Sequence, residues 1–287
     1  MTIRPFRPDD ATFAAQCAAL EGWTTETLEV FAAFFAHDPD GCLIAEEAGR
    51  PVGICVATPY DRYGFVGELI VRKEGRGRGV GPRLLLAAIE LLKHRGVEDI
   101  GLDGVARAVP FYEISGFRPV CESLRFVGRL EGLPQADLPS PGRVRPMSKR
   151  DISSVLALDR EAFGADRSFF LERLRSRHPE LSWVVEDDAG LAGFVLGHPG
   201  NGIVAVGPWV VAERWPRPLD ILRPLASAAG KRPVRIGILA KNTASVAAVR
   251  SLPGMTEQPP SIRMVLGPSD RLGNSPLSWA VGSPAKG

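Results

Sequence analysis

The stretch ELIVRKEGRGRGVGPRLLLAAIELL, residues 68–92, decides the fold. It predicts a β-strand over 65–71, then a loop with four glycines, then an amphipathic helix over 79–94. Because glycine has no Cβ, the backbone of such a loop can approach a phosphate closely, and the helix amides point at the anion. Arg76 and Arg78 add positive charge. A flexible turn with exposed arginines explains this stretch, taken alone, equally well.

A second stretch, LDGVARAVPFYEISGF at residues 102–117, decides between those interpretations. The order of strand, R-x-x-G-x-G loop, helix, strand and A-x-x-F-Y-E-x-x-G-F resembles the GNAT superfamily of acyl-CoA-dependent N-acetyltransferases. The loop motif lies at 76–81, the second motif lies at 108–117, and the resemblance covers the first 130 or so residues. It implies an α/β (α+β) fold, a splayed mixed sheet flanked by helices, with acetyl-CoA as co-substrate and no metal.

The resemblance also implies roles for individual residues. Tyr112 matches a tyrosine that can protonate the departing thiolate, and its ordinary pKa of about 10 exceeds the roughly 8.5 of a thiol. Pro82 lacks the N–H that many relatives have at that position, so we expect one phosphate contact fewer than in those relatives. The pantetheine arm of CoA would pair with the backbone of Leu69, Ile70 and Val71. The pyrophosphate would lie on the amides of Arg76, Gly77, Arg78, Gly79, Val80 and Gly81.

The acceptor side of the site is less defined. Attack on a thioester needs a neutral amine, and Glu68 is the carboxylate best placed to take the ammonium proton. A strand-end glutamate that faces solvent or pairs with Arg72 is an equally good interpretation, and water-relayed deprotonation is a third. Trp23, Tyr60 and Tyr63 belong to segments that border the acceptor side, although aromatic residues at such places are more often core.

The chain repeats itself once. LIAEEAGRPVGI, residues 43–54, matches WVVEDDAGLAGF, residues 183–194, and further matches before and after keep nearly the same offset. Duplication of one unit explains three matches in order at a nearly constant shift. The sequence therefore predicts two tandem GNAT-like domains. The paired positions include Arg4 with Arg145, Asp10 with Asp151, and Glu46 with Glu186.

The second unit lacks the predicted machinery. The position of the glycine loop is occupied by ERWPRPL, residues 213–219, and Tyr112 corresponds to Arg250. FGADR from Phe163 and GPW from Gly207 resemble the degenerate domain of a tandem GNAT subgroup. This unit is expected to wall off the acceptor site or to dimerise, with Trp209 as a substrate contact. The predicted bounds are a catalytic domain at 1–130, a linker at 131–142, a degenerate domain at 143–267 and a poorly ordered tail at 268–287.

Composition narrows the remaining function classes. The chain has 287 residues, a formal charge of +2, 45% hydrophobic residues and 24% charged residues, which suits two globular domains. Scattered basic residues argue against nucleic acid or a membrane as partner. Neither a signal peptide nor a spanning segment is expected. The four cysteines and four histidines form no metal motif, which indicates free thiols in the reducing cytoplasm and no metal site.

The predicted reaction is transfer of an acetyl group from acetyl-CoA to a primary amine, by direct attack in a ternary complex. A small-molecule acceptor is favoured because the second domain should partly close the cleft. Two alternatives stay open: acetylation of protein lysines or N-termini, and a non-catalytic acyl-CoA sensor. A homodimer is compatible with the sequence, which does not identify the acceptor.

Overall fold

The computed structural model describes residues 1–133, 142–268 and 276–287. None of the helices in these ranges is long and apolar enough to cross a membrane. The helices of the first half are α1 (Asp10–Leu20), α2 (Leu28–His37), α3 (Val80–His94) and α4 (Val109–Glu113). Its strands are β1 (Thr2–Pro5), β2 (Cys42–Glu47), β3 (Arg50–Pro59), β4 (Tyr63–Val71), β5 (Asp99–Val105) and β6 (Arg118–Gly128).

The second half repeats this order and adds one strand. Its helices are α5 (Ile152–Phe163), α6 (Ser168–Arg177), α7 (Leu222–Ala229) and α8 (Thr243–Arg250). Its strands are β7 (Gly142–Pro146), β8 (Trp183–Asp187), β9 (Gly190–Pro199), β10 (Val204–Val211), β11 (Val234–Leu239), β12 (Met255–Leu266) and β13 (Ser278–Ala280). The predicted mixed sheet with flanking helices and the tandem repeat are both confirmed.

The two halves share one mixed sheet. Among the described residues, the strand order is β1-β2-β3-β4-β5-β12-β6-β11-β10-β9-β8-β7, and β13 pairs with β10. β12 of the second half therefore lies between β5 and β6 of the first, while β6 pairs with β11 of the second half. Each half thus gives its last repeated strand to the sheet of the other. The sequence repeat did not reveal this exchange.

A repeated ion cluster supports the duplication in three dimensions. Arg4 binds Asp10 at 2.6 Å and Glu46 at 2.5 Å. Arg145 binds both Asp151, at 2.8 Å, and Glu186, at 2.5 Å. In each half the cluster ties the first strand to the start of the first helix and to the second strand. These six residues are the ones that the sequence repeat aligns.

Helix α3 covers one face of the first half. It starts at Val80, one residue after the predicted position, because Gly79 has a left-handed φ of 77°. Its buried face contains Val80, Leu84, Leu85, Ala88, Ile89 and Leu92, at the spacing expected for an amphipathic helix. The helix ends near Gly96, whose φ of 79° also favours glycine. This packing fixes the N-terminus of α3 beside the glycine loop.

The tail segment, residues 276–287, differs from its prediction. A poorly ordered tail was expected over 268–287, but residues 276–287 form β13 and continue into the molecule, while residues 269–275 lie outside the described residues. Its apolar residues explain the order: Leu277, Ala280, Val281 and Ala285 are all buried. Of the predicted linker at 131–142, residues 134–141 lie outside the described residues.

Candidate active site

Strands β4 and β5 separate halfway along their length. Among the described residues, their parallel pairing links 63–65 with 99–101, although β4 continues to Val71 and β5 to Val105. The pairing of β4 with β3 shifts register between Ile54 and Val56, next to Glu68, whose φ is 53°. This irregularity bends β4 away from β5. Residues 69–71 therefore border a slot into which an extended chain can pair.

The glycine loop lies beside this slot. Gly77 and Gly79 have φ values of 73° and 77°, which L-residues rarely adopt. A Cβ at either position would meet no atom within 4 Å, so the backbone there faces open space at the N-terminus of α3. These features fit a pyrophosphate, since exposed amides and the helix dipole both attract anions.

The loop arginines are held by neighbours. The Nε of Arg76 donates to the carbonyl of Val71 at 2.8 Å, and its guanidinium pairs with Glu21. Arg78 pairs with Glu47 at 2.8 Å. These contacts hold both side chains along the loop. Their positive charge stays at the mouth of the slot.

Tyr112 packs on the opposite strand of the slot. A Cβ on Gly104 of β5 would lie 2.8 Å from the Tyr112 ring, so only glycine allows this approach. The rings of Phe111 and Phe117 lie 4.9 and 6.1 Å from the Tyr112 ring. Burial raises the pKa of Tyr112, with Cys55 as a smaller cause. The hydroxyl therefore keeps its proton at neutral pH.

Glu68 is buried at the point where the slot opens. It is only 3% exposed, and among the described residues neither carboxylate oxygen has a hydrogen-bond partner of normal geometry, although the carboxyl group of Glu26 lies close by. The interpretation as a solvent-facing residue paired with Arg72 is wrong, because Arg72 lies 3.4 Å from Glu74 instead. Burial and the nearby carboxylate of Glu26 raise the pKa of Glu68, and Lys286 opposes the shift. A buried carboxylate without partners is a strong proton acceptor once ionised.

Five polar residues around Glu68 and Glu26 were missed by the sequence analysis: Thr25, Glu26, His198, Arg235 and Lys286. Glu26 is buried before α2, and its neighbour Thr25 accepts a 2.7 Å hydrogen bond from Arg235 of β11. His198 of β9 is also buried, and burial and the charge of Lys286 lower its pKa to about 4. None of these residues belongs to a local motif. Only the folding of both halves together brings them to one cleft.

Three of the predicted substrate aromatics lie together. Tyr60 and Tyr63 are buried with ring centroids 5.5 Å apart, and Trp23 packs against the same core. The Tyr60 hydroxyl donates to the Lys286 carbonyl at 2.8 Å, and the Tyr63 hydroxyl donates to the Phe163 carbonyl at 3.2 Å. Tyr60 and Tyr63 thus connect the two halves and the tail segment.

Trp209, the fourth predicted substrate residue, lies elsewhere. It is fully buried in the core of the second half, 5.2 Å from the ring of Trp279. Its strand β10 pairs with β13 of the tail segment, and Val281 donates to the Gly237 carbonyl of β11 at 2.9 Å. The tail segment therefore fills the separation between β10 and β11. Because Trp209 is a core residue there, it does not line the cleft near Glu68.

Comparison with protein families identifies both halves. The acetyltransferase (GNAT) family model matches residues 9–117, and an acetyltransferase (GNAT) domain model matches residues 155–276. The chain belongs to the GNAT acetyltransferase family. Its two halves are tandem GNAT domains, as the repeat and the two motifs predicted.

Individual relatives cover only part of the chain. Holothin acyltransferase of Pseudoalteromonas sp. is 26% identical over 163 residues, which is 56% of this chain and 53% of that protein. Mycothiol acetyltransferase of Acidimicrobium ferrooxidans is 33% identical over 144 residues, or 45% of this chain and 46% of that protein. The chain thus spans about half the length of these curated relatives.

A solved structure covers the whole fold. A protein from Pyrococcus horikoshii that is described as a candidate acetyltransferase aligns with a TM-score of 0.82 at 23% identity. The alignment covers 100% of this chain and 95% of that one. At this identity the likeness shows the fold, including its tandem arrangement, and leaves the substrate to other arguments.

Proposed function

We propose that this GNAT family member transfers an acetyl group from acetyl-CoA to the primary amine of a small molecule. The observation that carries the proposal is Glu68, a buried carboxylate at the bend where β4 leaves β5, for which the described part of the chain offers no hydrogen-bond partner of normal geometry. A fold gains no stability from burying such a group, because desolvation of a carboxylate is costly. Glu68 lies beside a slot that has a glycine loop at its end. This position suits a general base, since attack on a thioester requires an unprotonated amine.

We infer from the slot and the glycine loop which residues would hold the two ends of the co-substrate. The backbone of residues 69–71 would pair with the pantetheine arm, and the amides of 76–81 would hold the pyrophosphate. Acetyl-CoA supplies an activated acyl group as a thioester. Glu68 would take the proton from the bound ammonium, and Tyr112 would give a proton to the departing thiolate. The two groups lie on β4 and on α4, so a base and an acid border the same slot from different elements.

The second half supports a small acceptor. Phe163 of α5 and Phe170 of α6 stack near Tyr60 at 5.0 and 6.5 Å, so the second half covers the acceptor side of the first. A narrow cleft between α2 and α6 remains, and both apolar residues such as Val30 and Leu174 and charged residues such as Lys286 line it. The relatives named for holothin and mycothiol favour the same class of acceptor.

A coupled assay tests this proposal. We would measure thiol release from acetyl-CoA with a panel of small amines, lysine peptides and N-terminal peptides. Turnover with small amines alone supports the proposal, while turnover with peptides alone makes the chain a protein acetyltransferase. If acetyl-CoA binds by calorimetry but none of these amines is acetylated, the chain is an acyl-CoA sensor and the proposal fails.

The division of labour between the halves is part of the proposal. The first domain, residues 1–130, would bind one acetyl-CoA, and the degenerate domain, residues 143–267, would bind none because β13 fills the equivalent separation. All four cysteines are free thiols, which fits work in the cytoplasm. Calorimetric titration should give one acetyl-CoA per chain, and two would contradict this division.

A further inference from the structure

The tail segment crosses from the second half to the acceptor side of the first. After β13 it turns back on itself: the amides of Lys286 and Gly287 donate to the Ser283 carbonyl at 3.2 and 3.0 Å. This turn lies directly on β4. A Cβ on Gly67 would be 2.5 Å from the Ala285 carbonyl oxygen, so the residue before Glu68 must be glycine for the tail to fit.

Both halves hold this turn in place. From the first half, the Tyr60 hydroxyl donates to the Lys286 carbonyl at 2.8 Å. From the second half, Arg167 donates to the Gly287 carbonyl at 3.2 Å. Arg167 is itself fixed by two hydrogen bonds to Asp159, at 2.7 and 2.9 Å, and by the Phe163 ring at 3.9 Å. Such buried, paired contacts are not those of an incidental surface tail.

The Lys286 side chain extends into the acceptor cleft. Its Nζ lies 4.8 Å from the ring centroid of Phe34 and 5.7 Å from that of Phe170, between α2 and α6. Burial lowers the pKa of Lys286, although the carboxylates of Glu26 and Glu68 act in the opposite direction. A primary amine in this environment is more readily neutral than a surface lysine. Neutral amines are the nucleophiles that attack thioesters.

We propose that Lys286 is an internal acceptor, which is acetylated by the acetyl-CoA bound in the same chain. The inference rests on the proposed function and identifies one amine that the acceptor site holds. The neutral Nζ attacks the thioester carbonyl carbon, so an N–C bond forms and the C–S bond breaks. The thiolate takes a proton from Tyr112, and Glu68 takes the proton that the nitrogen loses. The products are acetyl-lysine and free CoA.

The experiment uses the full chain with acetyl-CoA and no other amine. Chymotrypsin cleaves after Trp279, so Lys286 falls in the peptide that begins at Ala280 and is the single lysine of residues 280–287. Mass spectrometry over time should show this peptide acetylated at least about tenfold faster than exposed lysines, because a held amine has a high effective concentration. Lys73, Lys93 and Lys231 serve as exposed internal controls. The rate per chain should not depend on protein concentration.

A variant separates catalysed from spontaneous acetylation. Glu68→Gln should slow acetylation of Lys286 by about 10²-fold or more, while the exposed lysines react as before. If that variant does not fold, the concentration series on the wild-type chain still decides between transfer within and between chains.

The outcomes separate this inference from the proposed function. If Lys286 stays unmodified while small amines are acetylated, the inference is overturned and the proposed function stands. If Lys286 reacts no faster than Lys73, its modification is spontaneous and the inference is again overturned. If neither Lys286 nor any amine is acetylated, both fail together. Acetylation of Lys286 at a rate that rises with protein concentration would also overturn transfer within one chain.

Discussion

The two halves contain the same gap in the sheet and fill it differently. In the first half, pairing of β4 with β5 spans three residue pairs before the strands separate, and pairing of β10 with β11 also spans three. The second separation contains β13, which pairs with β10. The first is bordered by Glu68 and the glycine loop. The duplicated fold thus creates a separation between two parallel strands in each half. In the second half β13 occupies it, whereas in the first half it is free for the extended arm of a ligand.

The loops that follow β4 and β10 also differ, because the first leaves open space beside its backbone and the second is filled by a side chain. Gly77 and Gly79 leave open space beside α3. At the equivalent place Trp215 is buried and its indole N–H donates to the Arg217 carbonyl at 2.9 Å, so this loop folds onto itself. Pro216 has no N–H to offer a phosphate. The first loop therefore leaves its backbone exposed, as our proposal for the pyrophosphate requires, whereas the second loop packs against its own side chains.

The largest effect should come from the acid on α4. Tyr112→Phe should lower kcat by about 10²–10⁴-fold and leave acetyl-CoA affinity nearly unchanged, since only the proton is lost. The matched control is Arg250→Gln at the equivalent position of the second half, where Arg250 pairs with Glu257 on the surface. Steady-state kinetics of both variants would test the contrast. Wild-type turnover in Tyr112→Phe would reduce Tyr112 to a packing residue.

The next largest effect, on the affinity for acetyl-CoA, should come from a substitution in the glycine loop. Gly79→Val should weaken acetyl-CoA binding by about tenfold or more, because a β-branched residue resists a φ of 77° and crowds the open space. Gly96→Val is the control: its φ is 79°, it also faces open space, and it lies at the far end of α3.

Calorimetry on both variants distinguishes position from strain. Equal losses of affinity in Gly79→Val and Gly96→Val would show that helix strain, rather than a phosphate contact, is responsible. Residual binding of a second acetyl-CoA in Gly79→Val would instead reveal a site in the second half, and would contradict the filled slot.

The sequence predicted what is local and missed what is shared between the halves. The helix over 79–94 and the two motifs could be predicted because periodicity and glycine spacing act within one segment. The strand exchange and the path of the tail segment could not, because pairings such as β5 with β12 join residues over 150 positions apart. Trp209 was misplaced for the same reason, since its partner Trp279 lies in the tail.

A smaller effect concerns stability rather than rate. Burial raises the pKa of Glu68, so the folded chain holds that proton more tightly than the unfolded chain. The stability is therefore fully present below the ordinary glutamate pKa and is lost as pH rises toward the folded value. Because glutamine does not ionise, Glu68→Gln should remove this cost and make the fold more stable than the wild type at neutral pH.

Urea unfolding at several pH values measures this gain. The difference between Glu68→Gln and the wild type should shrink as the pH falls toward the ordinary glutamate pKa. Turnover should change in the opposite direction, because the variant cannot take the ammonium proton. A variant that is both less stable at neutral pH and fully active would refute the buried base.

The smallest effect tests what the halves still share. Arg4→Met and Arg145→Met each remove the cation from a partly buried cluster with two carboxylates, so each should cost about 1–2 kcal/mol. Because the clusters are equivalent apart from an exposed second pair of Glu186 with Arg143, the two costs should agree within about 0.5 kcal/mol. The hydrogen bonds of Arg145 hold the pKa of Asp151 below its ordinary value. Burial is the largest single effect on Asp10 and raises its pKa, but the hydrogen bonds from Arg4 and from the Arg7 amide, with the charges of both arginines, together lower it.

The pH dependence gives this comparison a second readout. A lowered folded-state pKa contributes stability above the ordinary aspartate value, and that stability is lost as the pH falls through the folded value. Both variants should therefore approach wild-type stability in acid, with unchanged KM for acetyl-CoA at neutral pH. Unequal costs would show that the two clusters contribute different amounts of stability at the two ends of the shared sheet. A raised KM for acetyl-CoA in Arg4→Met alone would show that the cluster in the first half also positions the slot. The two halves would then differ in the role of this cluster as well as in what occupies the separation between their strands.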